Sequence, residues 1–106
     1  MNAILLALKE EKKQATHLLR VYLKEFKQLP QGTFFIRKRG QKSYGYITSS
    51  LRGKIRQLYL GSLDKEEIEK YQELMSRKKK LKELIRNAEK QKKFLTQSLK
   101  YARKKS

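Results

Sequence analysis

Cysteine is absent from this chain of 106 residues, and histidine occurs once, at His17. Disulfides and thiolate metal sites are therefore excluded, and a histidine-based site would need several carboxylates that the sequence does not gather. No metal or other cofactor is expected. Long apolar runs are missing as well: the opening stretch Ala3 to Leu8 is far shorter than the roughly 20 residues a spanning helix needs. Met1 to Leu8 lacks the positive start and small-residue cleavage site of a secretory signal, since Lys9 and Glu10 follow directly. A cytoplasmic location with no membrane partner is expected. Acidic residues are the scarcest relative to need. There are 10 against 28 Lys or Arg, none of them lies between Gln31 and Leu63, and the formal net charge is +18. Self-repulsion on that scale calls for a polyanion, and nucleic acid is the first candidate.

Proline occurs once, at Pro30, and neither Pro nor Gly follows Gly61, so these residues divide the chain into blocks of 1–30, 31–62 and 63–106. With 38% apolar residues these blocks are expected to form a single domain, 1–106, around a thin core. From Ala3 to Gln28, residues Leu5, Leu8, Ala15, Leu19, Tyr22, Phe26 and Leu29 repeat at alternating three and four, interrupted by Lys12. That spacing predicts an amphipathic helix, which Pro30 stops. From Thr33 to Leu60 the period becomes two and β-formers dominate, which predicts strands at Thr33–Arg39, Ser43–Ser49 and Lys54–Leu60. Short turns at Gly40-Gln41-Lys42 and Ser50-Leu51-Arg52-Gly53 make them an antiparallel meander. After Gly61, Asp64 is placed to cap a helix, Glu67 to reach back to it, and Leu63 with Ile68 to form a hydrophobic staple. The helix so started has room for about 40 residues, about 60 Å. Its seam of Leu74, Leu81, Ile85, Ala88, Leu95, Leu99 and Ala102, broken by Lys78 and Lys92, wants a partner helix. The predicted class is α+β: a first helix, a three-stranded antiparallel meander and a long last helix that pairs with the first. Closure of the same seam between two copies is the alternative, giving a monomer or a homodimer.

Catalytic sets are not assembled. Ser43, Ser49, Ser50 and Thr48 have only His17 as a base, and the middle block holds no carboxylate for acid or base work. No phosphate-cradling loop precedes a helix, because Gly40, Gly45 and Gly53 are spread over hairpins. The chain is not expected to be an enzyme. The middle block instead carries Arg37, Lys38, Arg39, Lys42, Arg52, Lys54 and Arg56, seven cations without an acid. On the first strand Phe35, Arg37 and Arg39 share a face opposite Phe34, Ile36 and Lys38; on the third, Ile55, Gln57 and Tyr59 oppose Lys54, Arg56, Leu58 and Leu60. With Tyr44, Tyr46 or Tyr59 between the cations, one face suits phosphate contacts, groove insertion or stacking on bases. The last helix adds Arg77, Lys78, Lys79, Lys80 and Lys82, a rail of charge for tracking a backbone. The first helix carries a net charge of only +3 to Pro30, which is treated as dispensable.

The segments Leu29-Pro30-Gln31-Gly32-Thr33, Ile36-Arg37-Lys38-Arg39-Gly40, Tyr44-Gly45-Tyr46, Gly53-Lys54-Ile55-Arg56-Gln57 and Tyr59-Leu60-Gly61 resemble small β-sheet modules of mobile-element proteins. One such module is the AP2-like, three-stranded arm-binding domain of phage and transposon tyrosine integrases; another occurs in small transposase-associated proteins, ahead of a long helix. The resemblance covers about residues 29 to 75. It implies a sheet set in the DNA major groove, with Arg37, Arg39, Tyr44, Tyr46, Lys54 and Arg56 nearest the nucleic acid. The leading helix departs from the integrase module, and no recombinase domain follows, which implies a free-standing binder or regulator. The expected function is non-catalytic nucleic-acid binding for a mobile element or phage, with DNA ahead of RNA. The alternatives are a phage or plasmid inhibitor of a host nucleoprotein, such as an RNA-guided nuclease, and an RNA- or ribosome-associated protein.

Overall fold

The computed structural model describes residues 3–105, and its elements follow the order α1 (Ala3–Gln28), β1 (Thr33–Arg39), β2 (Lys42–Leu51), β3 (Lys54–Leu63) and α2 (Lys65–Lys105). This is the expected α+β architecture, with α2 packed against α1. Two compact units divide the chain: α1 with the second half of α2, and residues 29–79, which hold the sheet and the first turns of α2.

In the helical unit the three-and-four spacing becomes the contact. Leu81, Ala88, Leu95 and Leu99 of α2 are buried, Leu81 and Leu95 almost completely, and Ala15 of α1 is buried with them. Each fully buried Leu contributes about 1.5–3 kcal/mol relative to an exposed one. Two interruptions of the seam are met with the same local device. Lys12 and Lys92 are half-buried, and four residues after each a threonine turns back. Thr16 donates its hydroxyl to the Lys12 carbonyl at 2.8 Å, and Thr96 donates to that of Lys92 at 2.9 Å. Each hydroxyl so placed keeps its hydrogen bond inside its own helix. Among the described residues no helix is long and apolar enough to cross a membrane.

In the sheet unit the strands lie in the order β1-β2-β3, all antiparallel. β2 and β3 run longer than the sequence pattern predicts, β2 chiefly because the second turn takes two residues rather than four. Arg52 and Gly53 both have positive φ, 53° and 77°, as a type I′ hairpin turn requires, so Leu51 pairs directly with Lys54. At the other end β3 continues to Leu63 through an irregularity: Tyr46 pairs with Tyr59 but Gly45 with Gly61, so Leu60 is the extra residue of a bulge. Gly45 is glycine because the space is taken. A β-carbon there would run into the side chain of Leu63 and press on the ring of Phe34.

The entry to α2 forms as its sequence dictates. Asp64 Oδ1 accepts from the Glu67 amide at 2.8 Å, and Glu67 Oε1 accepts from the Asp64 amide at 3.3 Å, which closes a capping box. One turn later Tyr71 stacks on Phe34, with ring centroids 5.1 Å apart and planes 15° from parallel. Lys78, expected to join the exposed cationic rail, does something else. It is buried, 7% exposed, and its ammonium donates to the carbonyls of Pro30 and Gly32 at 3.0 and 3.2 Å. Those carbonyls belong to the connection that leaves α1, where no helix or sheet ladder uses them, so a charged donor is the means of satisfying them. Lys78 interrupts the apolar seam because it ties the connection to the helix.

Replacing Lys78 with Ala is expected to cost about 1–3 kcal/mol in urea denaturation, because it removes a charge-assisted donor from two part-buried carbonyls. Lys79→Ala, its exposed neighbour, is expected to stay within about 0.5 kcal/mol. Equal, small losses for both would contradict the clamp. Leu81→Ala, at the most buried position of the helical seam, is expected to cost about 2–5 kcal/mol in the same assay.

Candidate nucleic-acid interface

Strand alternation gives the sheet two chemically different faces. The pairings place Phe34, Ile36, Gly45, Ile47 and Leu63 on one face, where Phe34 meets Tyr71 and where Ile47 and Leu63 are buried. The opposite face carries Phe35, Arg37, Arg39, Lys42, Tyr44, Tyr46, Gln57 and Tyr59. No side chain on this second face is buried: Phe35, Tyr44 and Tyr46 are half-buried, and Arg37, Arg39, Lys42 and Tyr59 are exposed.

The aromatic residues of this face form a row that crosses all three strands. Phe35 of β1, Tyr46 of β2 and Tyr59 of β3 are directly paired in register. The Phe35 and Tyr46 rings stack at 5.3 Å with planes 15° apart, and Tyr59 lies 5.3 Å from Tyr46 but tilted by 44°. Tyr44 flanks the row 6.4 Å from Tyr59. The Arg37 guanidinium sits over both Phe35 and Tyr46, 5.6 and 5.4 Å from their centroids. Such contacts hold the arginine fork at the row while leaving its donors to solvent or to a ligand.

The cations of the sheet do not all share this face. Arg37, Arg39 and Lys42 do, together with Tyr44 and Tyr46. Lys38 pairs with Ser43 on the helix-covered face, and Lys54 and Arg56 lie in register on that same side, near the hairpin tip. Arg52 forms the tip itself. All of these are exposed. The set of six that the integrase resemblance implies is therefore divided, four residues on one face and two on the other. On α2, Arg77, Lys79, Lys80 and Lys82 are exposed, and Lys78 is withdrawn from the rail by its two carbonyl contacts.

The row takes in Tyr59, which the sequence offers beside Tyr44 and Tyr46 for stacking, and Phe35, an uncharged residue outside the expected set; the register of β1 and β3 against β2 aligns both with Tyr46. The helical unit also holds a cationic groove that charge counting along α1 passed over. Lys9, Lys12, Lys13 and Arg20, with Thr16 and His17, line an open depression with Leu99 and Arg103 of α2. Among the described residues no group of three or more His, Asp or Glu is gathered to hold a metal ion.

Compared with protein-family models, with curated proteins and with solved structures, the chain matches none of them.

Because Arg37 is exposed and its ring contacts are of the surface kind, Arg37→Ala is expected to lower fold stability by no more than about 1 kcal/mol in urea denaturation. A drop of several kcal/mol would assign Arg37 to the core rather than to an interface.

Proposed function

We propose that this chain binds nucleic acid without catalysing a reaction on it, through the open face of its sheet. The observation that carries the reading is the composition of that face: three cations and a row of aromatic rings, in a sheet block whose seven charges are all positive. Edge protection against aggregation accounts for scattered lysines but not for the absence of every acid over three strands. A polyanion with planar groups matches both components, since phosphates meet Arg37, Arg39 and Lys42 while sugars or bases meet the rings. The exposed cations of α2 add affinity along a backbone and little sequence choice.

Kinship with the integrase arm module would set such a sheet in a DNA groove, and a role in a mobile element or phage belongs with that kinship. Binding through the open face does not require it. The chemistry of the sheet face suffices, and it suits DNA and RNA alike.

The test is a pair of variants on opposite faces of one sheet. The triple replacement of Arg37, Arg39 and Lys42 with Ala is expected to weaken binding to a labelled oligonucleotide. It should also lower the salt slope of log K by about 0.9 for each duplex phosphate that is no longer neutralised, measured by fluorescence anisotropy between about 50 and 200 mM salt. The double replacement of Lys54 and Arg56 with Ala should weaken binding less. Unchanged affinity and slope in the triple variant would leave α2 as the binding surface and overturn the proposal.

A further inference from the structure

The row Phe35–Tyr46–Tyr59 is more specific than a generally basic surface, and its geometry bears on which form of nucleic acid it takes. This inference rests on the reading of the open sheet face as the nucleic-acid interface and names the part of the ligand that face selects.

Phe35 and Tyr46 are nearly parallel at 5.3 Å, so their facing surfaces are spent on one another, with Arg37 lying against both. Tyr59 breaks the pattern. It is tilted 44° from Tyr46, stacks only loosely on Tyr44 at 6.4 Å, stands on the edge strand β3, and is 57% exposed. Its ring therefore ends the row on an open edge with more than half of its surface accessible, a position in which a further planar group extends the stack. Nothing on the strands competes for that position with negative charge. An occupant must be planar and apolar enough to stack on tyrosine, and it must belong to a molecule that satisfies Arg37, Arg39 and Lys42 on the same face. A nucleobase carried on its phosphates meets both conditions. In a duplex the bases are stacked on each other and their faces are hidden; in a single strand, loop or frayed end they are available.

We infer that the open sheet face selects unpaired nucleotides, with a base stacked on Tyr59 at the end of the row and the adjoining phosphates held by Arg37, Arg39 and Lys42. Discrimination comes from the availability of the base face. The site therefore takes unpaired DNA or RNA, and duplexes bind through charge alone.

The chain contains no tryptophan, so Tyr59→Trp in the full chain places a single indole reporter at the stacking position. Four probes of equal length are titrated against it at low salt: single-stranded DNA, single-stranded RNA, duplex DNA and inorganic polyphosphate, which has the charge without the bases. Quenching of the indole by the single strands and not by polyphosphate is the expected result. Whichever of the DNA and RNA strands quenches at lower concentration identifies the source of the base. In the unlabelled chain, Tyr59→Ala is expected to weaken single-strand binding about tenfold and polyphosphate binding less than about twofold, with Tyr59→Phe restoring the affinity. Single strands and duplex that bind equally, with an unquenched indole and no effect of Tyr59→Ala, would overturn the stacking inference while leaving nucleic-acid binding in place. Absence of binding to every nucleic acid, with polyphosphate still bound, would overturn both.

Discussion

The contact between Phe34 and Tyr71 decides which side of the sheet is closed. A three-stranded sheet has two faces, and in its own unit the chain supplies a single stretch of helix to cover it. Once the capping box at Asp64 and Glu67 has started α2, Tyr71 falls one turn after Glu67 and meets Phe34, while Ile47 and Leu63 are buried and Gly45 leaves room for Leu63. Strand alternation then fixes the rest. Every residue in register with Phe35 is on the open side, which is why Tyr46, Tyr59 and the Arg37 side chain gather there. The open face and its aromatic row are thus a consequence of core packing on the other face, with no loop or insertion needed to build them.

Charge sets the second constraint. At +18 the chain repels itself, and the sheet strands contain no acid to relieve it. All ten carboxylates stand elsewhere, several at the start of α2 where the helix dipole uses them. One lysine, Lys78, is spent on holding the connection after Pro30, and its two carbonyl partners compensate its burial. The cations of the open sheet face stay at the surface, where a polyanion can reach them. A ligand that binds only the folded chain and neutralises this charge raises its stability as well as occupying its surface.

Much of the fold was legible because its signals are local. The limits of α1 follow from the three-and-four spacing and Pro30, and β1 from its run of β-formers. The start of α2 follows from Asp64 and Glu67, since a capping box spans four residues. The ends of β2 and β3 were less legible. The sequence Ser50-Leu51-Arg52-Gly53 admits a four-residue turn, and only the left-handed conformation of Arg52 beside Gly53 shortens it to two. The role of Lys78 was hidden for a different reason: its partners are carbonyls 46 and 48 residues away, and carbonyls leave no mark in a sequence. The candidate interface was half legible. Alternation put Arg37, Arg39, Tyr44 and Tyr46 among the candidates. Joining Phe35 to Tyr46 and Tyr59 needed the register between strands, which for Tyr59 is set by the two-residue turn at Arg52-Gly53 and which no single strand specifies. The groove lined by Lys9, Lys12, Lys13 and Arg20 was missed because it forms only when α2 brings Leu99 and Arg103 alongside α1.

The central claim is that the open face of the sheet, and not the helices, selects the nucleic acid. Amide and side-chain chemical-shift mapping of the isotopically labelled full chain with a short single-stranded oligonucleotide tests it most directly. The largest shifts are expected at Phe35, Arg37, Tyr44, Tyr46 and Tyr59, with ring protons of Tyr59 moved most, and smaller shifts along Lys79 to Lys82. Shifts concentrated on Lys9 to Arg20 and on α2, with the rings of the sheet unmoved, would contradict it.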